Sequence, residues 1–279
     1  MLLTRTSVSH INEVKKALDE AFTIKDLGEL KYFLGIEISR NTKGTFLSQK
    51  KYIRDIISDV GMEDCIPVAA PLPTGLKLST EVGELLKTPD TYKILLGRLL
   101  YLQITKPDLS YVVQHLSQFI HAPRSPHLRV ALHVVKYLKG TLNIGLWYSV
   151  DSDLTVKAYS DEDWNGCQFS SRSLSAYTVF LGSNLVSWKT KKQRLVSKSS
   201  AEQSMEASKQ LAQNPMYHEK SKHLKRDMHY VREQVEDGFL QTAHVSSDKQ
   251  LADVLTNPLA STQHWSLISK FGLLDQCPT

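Results

Sequence analysis

Residues 155–188 read TVKAYSDEDWNGCQFSSRSLSAYTVFLGSNLVSW. Thr155 to Ser160 predicts a strand that leads into Asp161, with Glu162 and Asp163 beside it. Strand alternation turns Glu162 the opposite way from Asp161. Ser175 to Leu181 and Asn184 to Trp188 predict two more strands, joined by Gly182-Ser183. Downstream, a helix over Ser200–Gln213 breaks at Asn214-Pro215. A second helix covers His223–Val235, a strand covers Phe239–Val245, and a short helix begins within Gln250–Leu255. This half is mixed α/β.

Upstream the pattern is different. Ser9 is placed to cap a helix through Ile11, Val14, Ala17, Leu18 and Phe22. Leu30 to Ser39 and Thr45 to Ser48 predict a β-hairpin with the four-residue loop Asn41-Thr42-Lys43-Gly44. Lys50 to Val60 is helical, with Tyr52, Ile53, Ile56 and Ile57 on one face and Gly61 as its stop. Pro67, Pro71 and Pro73 mark a connector. Asp90 to Lys139 then divides into three helices, the second opening at Pro107-Asp108 and the third at Ser125-Pro126. On the third, Arg129, His133 and Lys136 share one face. Such a face suits phosphates and suits an ordinary solvated surface equally.

The chain has 279 residues, 41% hydrophobic and 23% charged, which excludes global disorder. None of its apolar runs approaches the roughly 20 residues that span a bilayer. Cys65, Cys167 and Cys277 form neither a disulfide framework nor a metal-ligand pair. With no secretory signal at Met1–His10, the expected location is intracellular, cytoplasmic or nuclear, and not secreted. The net charge of +5 lies wholly in residues 1–150, which hold 19 basic and 14 acidic groups. Between Lys87 and Lys139, eight cations (Lys87, Lys93, Arg98, Lys106, Arg124, Arg129, Lys136 and Lys139) face only Asp90 and Asp108. A local basic surface of this kind suits nucleic acid. Trp188-Lys189-Thr190-Lys191-Lys192-Gln193-Arg194 is a second basic cluster, opening with an aromatic. It suits either a hybrid duplex or an exposed loop after a strand.

Several blocks together resemble a known family. FTIKDLGELKYFLGIEISRNTKGTFLSQ (22–49) is similar to a segment that follows the polymerase active site in copia-type retrotransposon reverse transcriptases. LLGRLLYL (95–102), TKPDLSYVV (105–113), SQFIHAPRSPH (117–127) and YLKGT (137–141) resemble the stretch between polymerase and ribonuclease H in the same Pol polyproteins. YSDEDWNGC (159–167), VFLGSNLVSWKTKKQ (179–193), SKSSAE (197–202), NPMYHEKSKH (214–223), HYVRE (229–233) and QLADVLT (250–256) resemble the ribonuclease H domain, in order. The resemblance implies an α+β fold: a partial palm hairpin and helical segment, then an incomplete ribonuclease H-like α/β domain. The expected divisions are a palm remnant at 1–65, a helical basic thumb or connection-like segment at 66–150, and a degenerate ribonuclease H-like domain at 154–275.

Both ancestral reactions rest on paired divalent metals, Mg²⁺ here, held by converging carboxylates. The family's polymerase aspartate pair would fall immediately before Met1, and residues 1–150 contain no Asp-Asp, so this chain is expected not to polymerise DNA alone. For ribonuclease H, the resemblance assigns Asp161 as the first metal-binding carboxylate and Asp253 as the fourth. The second position falls on Ser204, with Glu202 and Glu206 two residues to either side; Glu202 is the candidate substitute. The third is missing, since no Asp occurs between Asp163 and Asp227, and a strand with its loop is deleted ahead of Asn214-Pro215. That loss exposes the edge of the first strand. His218, His223 and His229 have no zinc-ligand spacing.

The expectation is a truncated, internally deleted Pol fragment, without polymerase activity and with weak or absent ribonuclease H activity at Asp161, Glu202 and Asp253. Nonspecific binding of RNA–DNA hybrid or other nucleic acid would use Trp188, Lys189, Lys191, Lys192, Arg194, Arg129 and Lys136. Two alternatives stand: a Mg²⁺-dependent ribonuclease H, and a domesticated protein-interaction module whose partner the sequence does not name.

Overall fold

Asn41 and Gly44 bracket a tight two-residue turn. The computed structural model describes residues 3, 7–73, 75–163, 173–193, 237–238, 241–243 and 245–278. Strands β2 (Ile36–Asn41) and β3 (Gly44–Ser48) pair antiparallel with Asn41 opposite Gly44, so the loop is Thr42-Lys43 alone and not four residues long. The Asn41 carboxamide oxygen accepts from the Lys43 and Gly44 amides at 2.9 and 3.0 Å, the local bonding that favours Asn in turns. Gly44 is needed for a different reason. Strand β4 (Gly145–Ser149) lies against β3, and a Cβ on Gly44 would run into the Tyr148 carbonyl oxygen and the Trp147 ring. Gly44→Ala should cost about 1–3 kcal/mol through overpacking. A lower urea midpoint at unchanged slope is the expected reading.

The full sheet runs β1 (Tyr32–Phe33), β2, β3, β4 and β8 (Leu273–Leu274), each pair antiparallel. A second sheet holds β5 (Val156–Asp163), β6 (Leu174–Leu181) and β7 (Asn184–Lys192), again antiparallel. These are the three strands expected around residues 155–188. The last runs on past Trp188, so the basic cluster is strand as far as Lys192.

Helix α1 (Val8–Ala21) precedes the hairpin and buries no residue fully. Helix α2 (Lys50–Asp59) follows it, and Gly61 takes a positive φ of 64° just beyond its end, as a left-handed stop requires. Helices α3 (Pro89–Leu102), α4 (Ser110–Ser117) and α5 (Ser125–Gly140) are the three expected, with a 3-10 turn at Pro107–Leu109 opening the second. Their apolar faces meet α2 in one core built on Ile53, Ile56, Leu96, Leu99, Leu116, Val134 and Leu138. Each such side chain, fully buried, contributes about 1.5–3 kcal/mol.

A second core joins Leu146 of β4, Phe180 and Leu185 of the smaller sheet, Leu255, Leu267 and Phe271. It brings in helix α6 (Ser261–Ile268) and a 3-10 helix at Leu251–Leu255. Strands β4 and β8 and helix α6 had no counterpart in the sequence reading. The helices expected at 200–213 and 223–235 lie outside the described residues. Of the strand expected at Phe239–Val245, Gln241 to Ala243 carry no regular structure. The architecture is mixed α+β with antiparallel sheets. Among the described residues no helix is long and apolar enough to cross a membrane.

Candidate functional site

Strand β5 presents Asp161 and Asp163 on one side by simple alternation, and the Leu251–Leu255 helix brings Asp253 to them. The Gln250 side-chain amide donates to the Ser160 carbonyl at 3.0 Å, and the Thr256 hydroxyl donates to the Asp161 carboxylate. This segment therefore lies against the strand that the sequence left without a neighbour, and it supplies a partner to one backbone carbonyl there. Asp253 accepts from the Asn257 amide at 2.5 Å and from Gln263 at 3.3 Å.

Asp163 and Asp253 both sense their acidic neighbours. Burial raises the Asp163 carboxyl above its usual range, and the negative charges of Asp161 and Asp253 raise it further. Burial also raises Asp253, the Asn257 bond opposes this, and repulsion from Asp161 adds to it. Beside them, Tyr111 of α4 is pushed up to about 12, first by burial and then by Asp163. Clustered acids of this kind favour a proton or a cation among them. Asp161 and Asp253 were both expected from the sequence. Asp163 was not assigned a role, although the alternation that turns Glu162 away returns Asp163 to the side of Asp161. Glu202 lies outside the described residues, as do Ser204, Glu206, Asp227, Arg194, His218, His223 and His229.

The basic stretch from Lys87 to Lys139 is not the open cationic surface expected. Lys106 is 0% exposed, and its ammonium donates to the Thr141 carbonyl at 3.1 Å. Burial lowers its affinity for the proton, while Asp108 opposes that shift. Arg98 pairs with Asp59 and lies 5.4 Å over the Tyr52 ring. Arg124 donates to the carbonyls of Thr80 at 2.7 Å and Gly83 at 2.6 Å. Lys139 donates to the carbonyls of Glu63 and Cys65, and Lys93 pairs with Asp90. Lys106, Arg124 and Lys139 tie helices to connectors, because the carbonyl-rich loops between helices offer many acceptors and few donors. Arg129 is exposed and Lys136 half-buried, but His133 between them hydrogen-bonds the Ala70 carbonyl at 3.2 Å, against the connector.

Alternation also divides the second basic cluster. Trp188, Thr190 and Lys192 fall on one face of β7. The Trp188 indole donates to the Gln103 carbonyl at 3.2 Å, Thr190 to the Leu255 carbonyl at 2.9 Å, and Lys192 to Gln118 at 3.0 Å. That face docks on the helical segment and the Leu251–Leu255 helix, and the half-buried Trp188 ring packs against the second core. Lys189 and Lys191 fall on the opposite face and are exposed.

Comparison with known proteins gives this geometry a context. Residues 1–74 match the family model for reverse transcriptase (RNA-dependent DNA polymerase). The chain is 35% identical to the retrovirus-related Pol polyprotein from transposon RE1 of Arabidopsis thaliana, over 98% of this chain and 21% of that protein. It is 33% identical to the polyprotein from transposon RE2 of the same plant, over 100% of this chain and 22% of that protein. The chain thus spans about a fifth of the length of these two relatives. The RE2 alignment extends over 313 positions against the 279 residues here, so the relative carries positions with no counterpart in this chain. An uncharacterized mitochondrial protein of Arabidopsis thaliana is 40% identical over 72% of this chain and 84% of its own length. No solved structure matches. On the strength of these likenesses across its whole length, the chain belongs to the copia-type retrotransposon Pol polyprotein family.

Proposed function

We propose that this chain is a Pol-derived nucleic-acid-binding protein. In this reading the palm-hairpin part at 1–65 does not polymerise DNA, and the ribonuclease H-like part at 154–275 binds RNA–DNA hybrid with weak or no cleavage. The observation that carries the reading is the state of the carboxylates. Asp161 accepts from Thr256, and both oxygens of Asp253 accept from Asn257 and Gln263. In this reading protein donors set the placement of these carboxylates, where Mg²⁺ demands near-ideal octahedral geometry. Among the described residues, no group of three or more His, Cys, Asp or Glu is arranged to hold a metal. In this reading Asp161, Asp163 and Asp253, the described donors, are too few to clamp two magnesium ions. The positions that RE2 carries and this chain lacks are placed, in this reading, between Met205 and Asn214, where the third carboxylate would stand.

Lys189 and Lys191 supply the binding surface, since they project from a strand whose other face is anchored. Affinity for an RNA–DNA hybrid, followed through a salt series, should fall linearly on log–log axes. Lys189→Ala and Lys191→Ala should each reduce the slope by about 1. A flat response would reject the electrostatic mechanism. The second reading, an active Mg²⁺-dependent ribonuclease H, is favoured by the meeting of Asp161, Asp163 and Asp253. Robust hybrid cleavage abolished by Asp161→Asn would establish it and displace the first.

A further inference from the structure

We propose that Asp108, Tyr137 and His264 form an acid-released clasp that holds the 251–274 segment against the helical core. The three residues come from the Pro107–Leu109 turn, from α5 and from α6, and they are 2%, 1% and 2% exposed. The Tyr137 hydroxyl donates to Asp108 Oδ2 at 2.7 Å. Its single proton is thereby committed, so at 3.0 Å its oxygen accepts from His264 Nε2–H. The neutral imidazole with its proton on Nε2 satisfies this chain. The two rings meet edge-on at 5.6 Å, and next to them the Trp265 indole donates to the Ala69 carbonyl at 2.9 Å.

The charges around His264 are what make the clasp acid-sensitive. The basic Lys106 and the acidic Asp108 are both buried beside His264. A proton on His264 adds a second cation where Asp108 is the one carboxylate in the cluster. Tyr111 of α4 and Asn257 line the same cleft with Pro71, Leu72 and Val254, and none of these supplies an anion. Burial holds the imidazole below its ordinary value, Asp108 works against this, and Lys106 adds to it. Because the docked value lies below the free one, docking is complete above about pH 6.5 and weakens as the pH falls below it. Undocking relieves the charge by giving His264 to water. Asp253 and Thr256 travel on the same segment, so release also separates them from Asp161. The clasp rests on these contacts alone and stands whether or not the carboxylates bind a metal.

Hydrogen exchange on the full chain at about pH 7.5 and about pH 5, corrected for intrinsic rates, tests this directly. Protection of peptides within 251–274 should drop about tenfold or more at the lower pH, the loss of roughly one buried hydrogen bond to a charged group, while peptides of α3 and α5 keep theirs. His264→Gln, which retains a side-chain N–H donor, should stay docked at about pH 5. Tyr137→Phe, which keeps the ring and removes both bonds, should lower protection of the segment already at about pH 7.5. Unchanged protection of 251–274 in acid overturns the clasp. So does its loss together with α3 and α5, or an unaltered acid response in His264→Gln.

Discussion

Asp108→Ala should lower the unfolding free energy by about 1–3 kcal/mol, the cost of leaving the buried Tyr137 hydroxyl without its acceptor and of removing the opposite charge near Lys106. Lys106 has no exposed surface, and the Thr141 carbonyl and the nearby Asp108 charge are what it has in place of water. Removing the carboxylate also strips the Tyr137 hydroxyl of its 2.7 Å acceptor. Asp108→Asn keeps an acceptor for Tyr137 while removing the charge, so it should fall between wild type and Asp108→Ala. Adding Lys106→Met to Asp108→Asn should recover part of the loss, since no unpaired charge then remains. Urea denaturation of the four proteins decides the matter. A loss under about 1 kcal/mol for Asp108→Ala would mean that Lys106 does not depend on Asp108.

The second large effect is acid destabilisation. Burial, followed by His127 and Lys192, pushes the His115 imidazole down to about 4. Burial likewise lowers His127, His133 and His264. Each is a base with a folded value below its unfolded one. Its penalty is absent above about pH 6.5, grows as the pH falls, and for His115 saturates below about pH 4. From 6.5 to about 4, His115 alone removes about 3 kcal/mol. Asp163 and Asp253 act in the opposite sense, because their raised values return stability as the pH falls through them. The net expectation is a melting temperature that drops steeply between about pH 6.5 and about pH 4.5. His115→Phe, at a ring stacked on Tyr111 and edge-on to Phe119, should flatten that slope. Equal slopes in the two proteins would show that His115 is not held neutral by the fold.

Where periodicity is long, the fold was legible. Hairpin β2–β3, helices α2 to α5 and the three strands β5 to β7 follow from repeats of two or 3.6 residues and from Asn, Pro and Gly punctuation. Strand β8 has two residues and carries no period, and β4 is a short apolar run that looks the same in a strand or a helix. The site was half legible. Asp161 and Asp253 were placed by their motifs, and Asp163 was within reach of alternation. Lys106 was misread because a lysine counts as surface in any charge tally, and only the tertiary packing shows that Thr141 and Asp108 surround it. The setting of Trp188 was hidden for a related reason: its neighbours in sequence are basic, but its own face of β7 points toward Gln103.

One consequence of the larger sheet concerns the order in which the protein is made. Strand β4 ends at Ser149 and its outer neighbour β8 begins at Leu273, so a growing polypeptide exposes one long before the other has left the ribosome. Through that interval the nascent chain offers a raw strand edge to any passing β-segment. Productive synthesis should thus depend on chaperones that shield this edge until the last strand arrives.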